Sequence, residues 1–152
     1  MLSTVKKLAA VAAVASVGAF AATASHASNQ LATAIGGYDT VSYFTDAGPQ
    51  MGKAKFHHFW NGAVWFFATA ENRDAFKADP TAFAPAHAPK YDGYCAWAAS
   101  QNYKRPGDPN VWQIVDNRLY LFVHEGARDK WLADVPTYIS QADANWEQIA
   151  PY

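Results

Sequence analysis

The chain has 152 residues and 16.6 kDa, with 12 basic against 13 acidic side chains and one cysteine. That length supports one domain able to bury a core unaided, and one cysteine excludes an internal disulfide framework or a cysteine-rich zinc module. A formal charge of -1 and a pI near 6.5 exclude the basic face that a nucleic-acid binder uses to displace counterions.

Residues 1–27 read as a secretory signal peptide. Lys6 and Lys7 form a positive start, and Leu8 to Ala22 is an uninterrupted run of small and apolar residues. Ser25-His26-Ala27 then offers small side chains at the positions a signal peptidase reads, with Ala22-Thr23-Ala24 as a second cut. The apolar run falls short of the ~20 residues that span a bilayer, so no integral membrane protein is expected after cleavage. No Cys follows it to carry a lipid. Cleavage after Ala27 removes both lysines and leaves positions 28–152, a single domain with 10 basic against 13 acidic groups and a net charge of -3. The expected location is periplasmic or secreted. An unpaired Cys there must be buried, bound or reactive.

In chain order, Lys55 to Trp60 and Ala63 to Ala68 read as strands, joined by Asn61-Gly62, a hairpin signal because both residues tolerate positive φ. A helix follows, capped by Thr69, with Glu71 in its first turn and Ala75, Phe76 and Ala78 on its apolar side. Pro80, Pro85 and Pro89 predict that residues 80–90 stay irregular. Asp92 then caps a connecting helix from about Gly93 to Gln101, and Pro106-Gly107-Asp108-Pro109 is a turn-rich linker. Val111 to Val115 and Leu119 to Val123 form a second hairpin about Asp116-Asn117, followed by a helix from Ala127 to Ala133. In the final helix Pro136 sits in the first turn, and Ile139, Ala142, Trp146 and Ile149 share one stripe.

The second hairpin and helix restate the first. Aligned without gaps, residues 61–84 match 116–139 with identities at Phe67/Phe122, Arg73/Arg128, Asp74/Asp129, Ala78/Ala133 and Asp79/Asp134. An internal duplication is the expectation, with the recurring Arg-Asp pair pinning helix to hairpin. The expected fold class is α+β: two pseudo-repeated β-hairpin–helix units around a small antiparallel sheet, plus the connecting and C-terminal helices.

Several segments in this order resemble the long, exported form of YHS domain proteins. They are Gly37-Tyr-Asp-Thr-Val-Ser-Tyr-Phe44, Trp60-Asn-Gly-Ala-Val-Trp65, Ala70-Glu-Asn-Arg-Asp-Ala-Phe76, Asp79-Pro80 with Phe83-Ala-Pro85, and Gly93-Tyr-Cys-Ala96. The resemblance covers roughly residues 36–150 and implies a small α+β domain. Shorter relatives occur in heavy-metal transport proteins, which implies metal binding. Their cysteine-rich pattern is missing here, and Ala86-His87-Ala88 lengthens the segment before Gly93.

Cys95 is the first candidate site residue. In the first turn of a helix its thiolate is favoured, ready to bind a soft metal or react; the competing reading is a buried small hydrophobe. His87, on the Pro-rich segment before it, could close a metal site with it, joined by His57 or His58. As strand neighbours, His57 and His58 point to opposite faces and cannot easily share one ion. His124 stands where Thr69 stands in the first unit and reads as an exposed cap. No nucleophile elbow, P-loop or dinucleotide fingerprint occurs, so an enzyme is not expected. The leading reading is an exported non-enzymatic binding protein holding copper or zinc through Cys95 and His87, with His57 or His58 as a further ligand. The alternative is a small-ligand or protein-interaction module, or a homo-oligomer, using the aromatic hairpins.

Overall fold

The computed structural model describes residues 32–45, 47–84 and 93–149; the signal-peptide reading, His87 and Asp92 lie outside them. The order is β1 (Ala32–Thr33), two 3-10 turns (Ala34–Gly37 and Thr40–Phe44), β2 (Lys53–Trp60), β3 (Ala63–Phe67), α1 (Ala70–Ala78) and α2 (Pro80–Phe83). Then come α3 (Ala96–Ser100), β4 (Asp108–Val115), β5 (Arg118–Phe122), α4 (Glu125–Leu132) and α5 (Val135–Ile149). The class is α+β. Among the described residues no helix is long and apolar enough to cross a membrane.

The hairpins form where the turn residues allow it. Asn61 and Gly62 take φ of 49° and 77°, and Asp116 and Asn117 take 49° and 58°, the left-handed pair that matches strand twist. The registers correspond under the same alignment that pairs Asn61 with Asp116. His57 faces Phe66 and Trp60 faces Ala63, while Trp112 faces Leu121 and Val115 faces Arg118. Both ladders shift at the same place, between Lys53 and His57 and between Asp108 and Trp112. Each hairpin delivers a capped helix. Thr69 Oγ1 accepts from the Asn72 N–H at 3.1 Å, and His124 Nδ1 from the Ala127 N–H at 3.0 Å.

Each helix drops one large ring into its hairpin. Phe76 lies 4.9 Å from Trp65 and 5.1 Å from Phe67; Trp131 lies 4.9 Å from Tyr120 and 5.2 Å from Phe122. Both are fully buried. A third cluster joins the halves, where Ile35 and Tyr43 pack on Leu119 and Leu121. α5 closes the second half over α3, its Asn145 Nδ2 donating to the Ala99 and Ser100 carbonyls at 3.0 and 3.1 Å.

Three expectations need correction. The described residues form two sheets, a three-stranded β1-β3-β2 with β1 parallel to β3 and a separate β4-β5 pair, because the hairpins meet through side chains rather than a common ladder. Pro80 does not end regular structure: it takes the first position of α2, where no N–H is needed, and Asp79 caps that turn by accepting from the Ala82 N–H at 3.2 Å. The connecting helix begins at Ala96, not Gly93, because residues 94 and 95 are held extended by bridges to Pro106 and Leu121.

Candidate functional site

Cys95 is therefore the residue before α3, not part of its first turn. Its N–H donates to the Arg105 carbonyl at 2.8 Å, and its Sγ accepts from the Ala98 N–H at 3.5 Å. The side chain is fully buried among Val111, Tyr120, Phe122, Ala127 and Trp131. A thiol so enclosed packs as a small apolar group that also caps a helix.

The histidines sit in the other half. His57 is exposed, and its Nδ1–H donates to the Ala54 carbonyl at 2.9 Å. His58 points inward, edge-on to Phe76 at 6.2 Å. Burial lowers its pKa, with the positive charges of Lys77 and His57 pushing the same way. The structure brings neither ring to Cys95, which belongs to the second core cluster while His58 stacks on the first. Among the described residues no three His, Cys, Asp or Glu side chains converge to hold a metal. His124 is exposed and does cap α4.

The recurring Arg-Asp pair does not pin helix to hairpin. Arg73 Nε binds Asp74, its own neighbour, at 2.9 Å, and Arg128 lies 3.8 Å from Asp129. The short side chain of Asp74 meets the Arg73 fork on the helix surface before either can reach a strand.

Sequence reasoning overlooked Asp39. Its fully buried carboxylate accepts from the Val41 and Ser42 N–H groups at 2.9 and 3.3 Å, from the Ala68 N–H at 2.8 Å and from Asn72 Nδ2 at 2.6 Å. One side chain thus ties a 3-10 turn, the end of β3 and α1 together. The Asp39 N–H also donates to the Gln50 carbonyl at 2.8 Å, as Cys95 does to Arg105. The signal was the Gly-Tyr dipeptide before both, Gly37-Tyr38 and Gly93-Tyr94.

An open groove of about 310 Å³ is lined by Gly36, Gly37 and Gly52 together with Thr33, Met51, Ala54 and Phe66. Ile35, Gly36 and Gly37 all have positive φ, 39°, 62° and 85°. For β-branched Ile35 this is a strained conformation, held because its side chain is buried against Leu119 and Leu121. Gly52 donates its N–H to the Gly37 carbonyl at 2.9 Å. A Cβ on Gly52 would meet the Phe66 backbone at 2.5 Å. The groove opens onto the outer face of the first hairpin, where His57 pairs with Phe66 and Phe59 with Val64; Met51 is 57% and Phe59 48% exposed.

Comparison of the chain with protein-family models, curated proteins and solved structures finds no match in any of the three.

Proposed function

We propose that this is an exported, non-enzymatic binding protein of the YHS type whose ligand is a small apolar molecule seated in the glycine-floored groove. The groove carries the reading. Its volume sits at the lower end for small-molecule sites, its walls are apolar, and the strained backbone at β-branched Ile35 adjoins it through Gly36. Export rests on the signal-like residues 1–27, and the family assignment on the ordered motifs between residues 36 and 150.

On the same footing, the two halves are copies of one hairpin–helix unit. The register, ladder shift, turn geometry and cap all recur under one gap-free alignment, which sets His57 on Trp112, Asn61 on Asp116 and Thr69 on His124. That agreement supports the reading. One residue out of that alignment, the matching backbone bonds from Asp39 to Gln50 and from Cys95 to Arg105 set Cys95 at the place of Asp39, a position that does fold work in the first unit. The metal reading is correspondingly demoted, since Cys95 is enclosed and lacks a nearby histidine among the described residues.

Titration of the ¹⁵N-labelled protein with n-octanol tests the apolar site. The amides of Gly36, Gly37 and Gly52 should shift saturably, and Met51→Ala should weaken binding several-fold. Shifts scattered over the surface, or centred on Cys95, would refute the groove as the site. Metal analysis of untagged protein beside Cys95→Ser addresses the rival: bound metal present in the wild type and lost in the variant would restore Cys95 as a ligand.

A further inference from the structure

We propose that α4 carries a pH-sensitive catch: its cap, His124, holds the first turn only while the imidazole is neutral. Acidification then loosens the second hairpin–helix unit and leaves the first in place, whatever the groove binds. The Ala127 N–H donates to His124 Nδ1 at 3.0 Å, so that nitrogen is unprotonated and the ring proton sits on Nε2. An imidazolium has no acceptor to offer and sets a positive charge at the positive end of the helix. The ring is exposed, so a proton reaches it without unfolding, and histidine ordinarily changes charge in the range of about pH 5 to 8. In α1 the same bond is made by Thr69 Oγ1, which accepts throughout that range. The Ala127 N–H also reaches the His124 carbonyl at 3.0 Å, so protonation loosens the turn without orphaning the donor.

Two further features leave α4 the less firmly held helix. Gly126 stands in its first turn where α1 has Glu71, and glycine is the weakest helix former after proline. The Trp131 Nε1–H is buried with no hydrogen-bond partner among the described residues, a penalty that Phe76 at the corresponding place does not carry. Ala127 and Trp131 both belong to the core cluster around Cys95, so this is the core that acid loosens. Charges near the ring act in both directions: Glu125 beside it favours the imidazolium, and Arg128 one turn on opposes it. The elements packed on α4 are α3, β4, β5 and α5. α3 has no charged residue; β4 brings Asp108, β5 brings Arg118 and Tyr120, and α5 brings Tyr138, Asp143 and Glu147. Among the described residues no carboxylate pairs with the His124 ring.

Amide hydrogen exchange on the ¹⁵N-labelled protein, at about pH 7.5 and about pH 5 and corrected for the intrinsic rate, tests the catch across the histidine range. Protection of Ala127 should fall roughly tenfold relative to Asn72, the corresponding amide of α1, which is the scale of a lost helix cap. His124→Thr, which copies the cap of α1, should keep Ala127 protected at both pH values. Equal changes at Ala127 and Asn72, or a fall at Ala127 that survives in His124→Thr, overturns the proposal. An Nδ1–H tautomer in the ¹⁵N spectrum of the neutral ring overturns it as well. Should His124→Thr fail to fold, the wild-type tautomer and the ratio of Ala127 to Asn72 still decide.

Discussion

The two hairpins are built to one register and buried in different ways. The outer face of the second, Trp112 with Leu121 and Ile114 with Leu119, is covered by Ile35 and Tyr43 from the first half. The corresponding face of the first, His57 with Phe66 and Phe59 with Val64, has Phe59 and Met51 about half exposed. Backbone pairing is thus set by turn and register, while a face becomes core or surface according to what the rest of the chain lays over it. Aromatic content alone predicts neither outcome.

The largest effects should test whether the halves are equivalent inside. Phe76→Ala and Trp131→Ala each remove a fully buried ring, and each should cost about 3–5 kcal/mol in urea unfolding. A loss below about 1 kcal/mol at either site, well under the usual cost of deleting a buried ring, would show that one half does not depend on its ring. The next test separates the two corresponding positions. Asp39→Ala leaves the buried N–H groups of Val41 and Ala68 unpartnered and should cost about 3 kcal/mol. Cys95→Ala removes one weak sulfur contact and should cost about 1–2 kcal/mol. Cys95→Asp should be worse than Cys95→Ala, because it places a charge beside Phe122 and Trp131 with no counterpart to Asn72.

The smallest effect concerns pH. His58 has a lowered pKa, chiefly from burial against Phe76. Above its unfolded value of 6.5 both states are neutral there; as pH falls through 6.5 the unfolded chain takes a proton that the folded chain resists. Stability should therefore fall on acidification, and His58→Phe should flatten that slope. A variant with the wild-type slope would show that the ring is free to protonate in the fold.

Much of the secondary structure was legible because local chemistry decides it. Asn61-Gly62 and Asp116-Asn117 set the turns, and Thr69 and His124 cap the helices. Two things were not. A gap-free comparison of the halves aligns the hairpins but misses Asp39 with Cys95. The loop from Asp39 to its partner Gln50 is one residue longer than the loop from Cys95 to Arg105, so the correspondence slips by one. The groove was hidden for another reason: it is made of missing side chains. Gly36, Gly37 and Gly52 become a floor only when β1, the turn before Tyr38 and Phe66 come together, and no periodicity records that meeting. Of the candidate site residues, Cys95 was legible as a choice between ligand and core, and its enclosure by Tyr120 and Trp131 favours core.

The close approach at Gly52 has a twin. A Cβ there would strike the Phe66 backbone at 2.5 Å, and a Cβ on Gly107 would strike Leu121 Cβ at 2.6 Å and the Gly93 carbonyl at 3.0 Å. Neither glycine is held by an unusual φ; both are held by lack of room. Around them the two hairpins differ, Met51 standing against Pro106 and Lys53 against Asp108, while the two glycines are the same. Close relatives of this chain should differ freely around them and still keep glycine at the places of both Gly52 and Gly107.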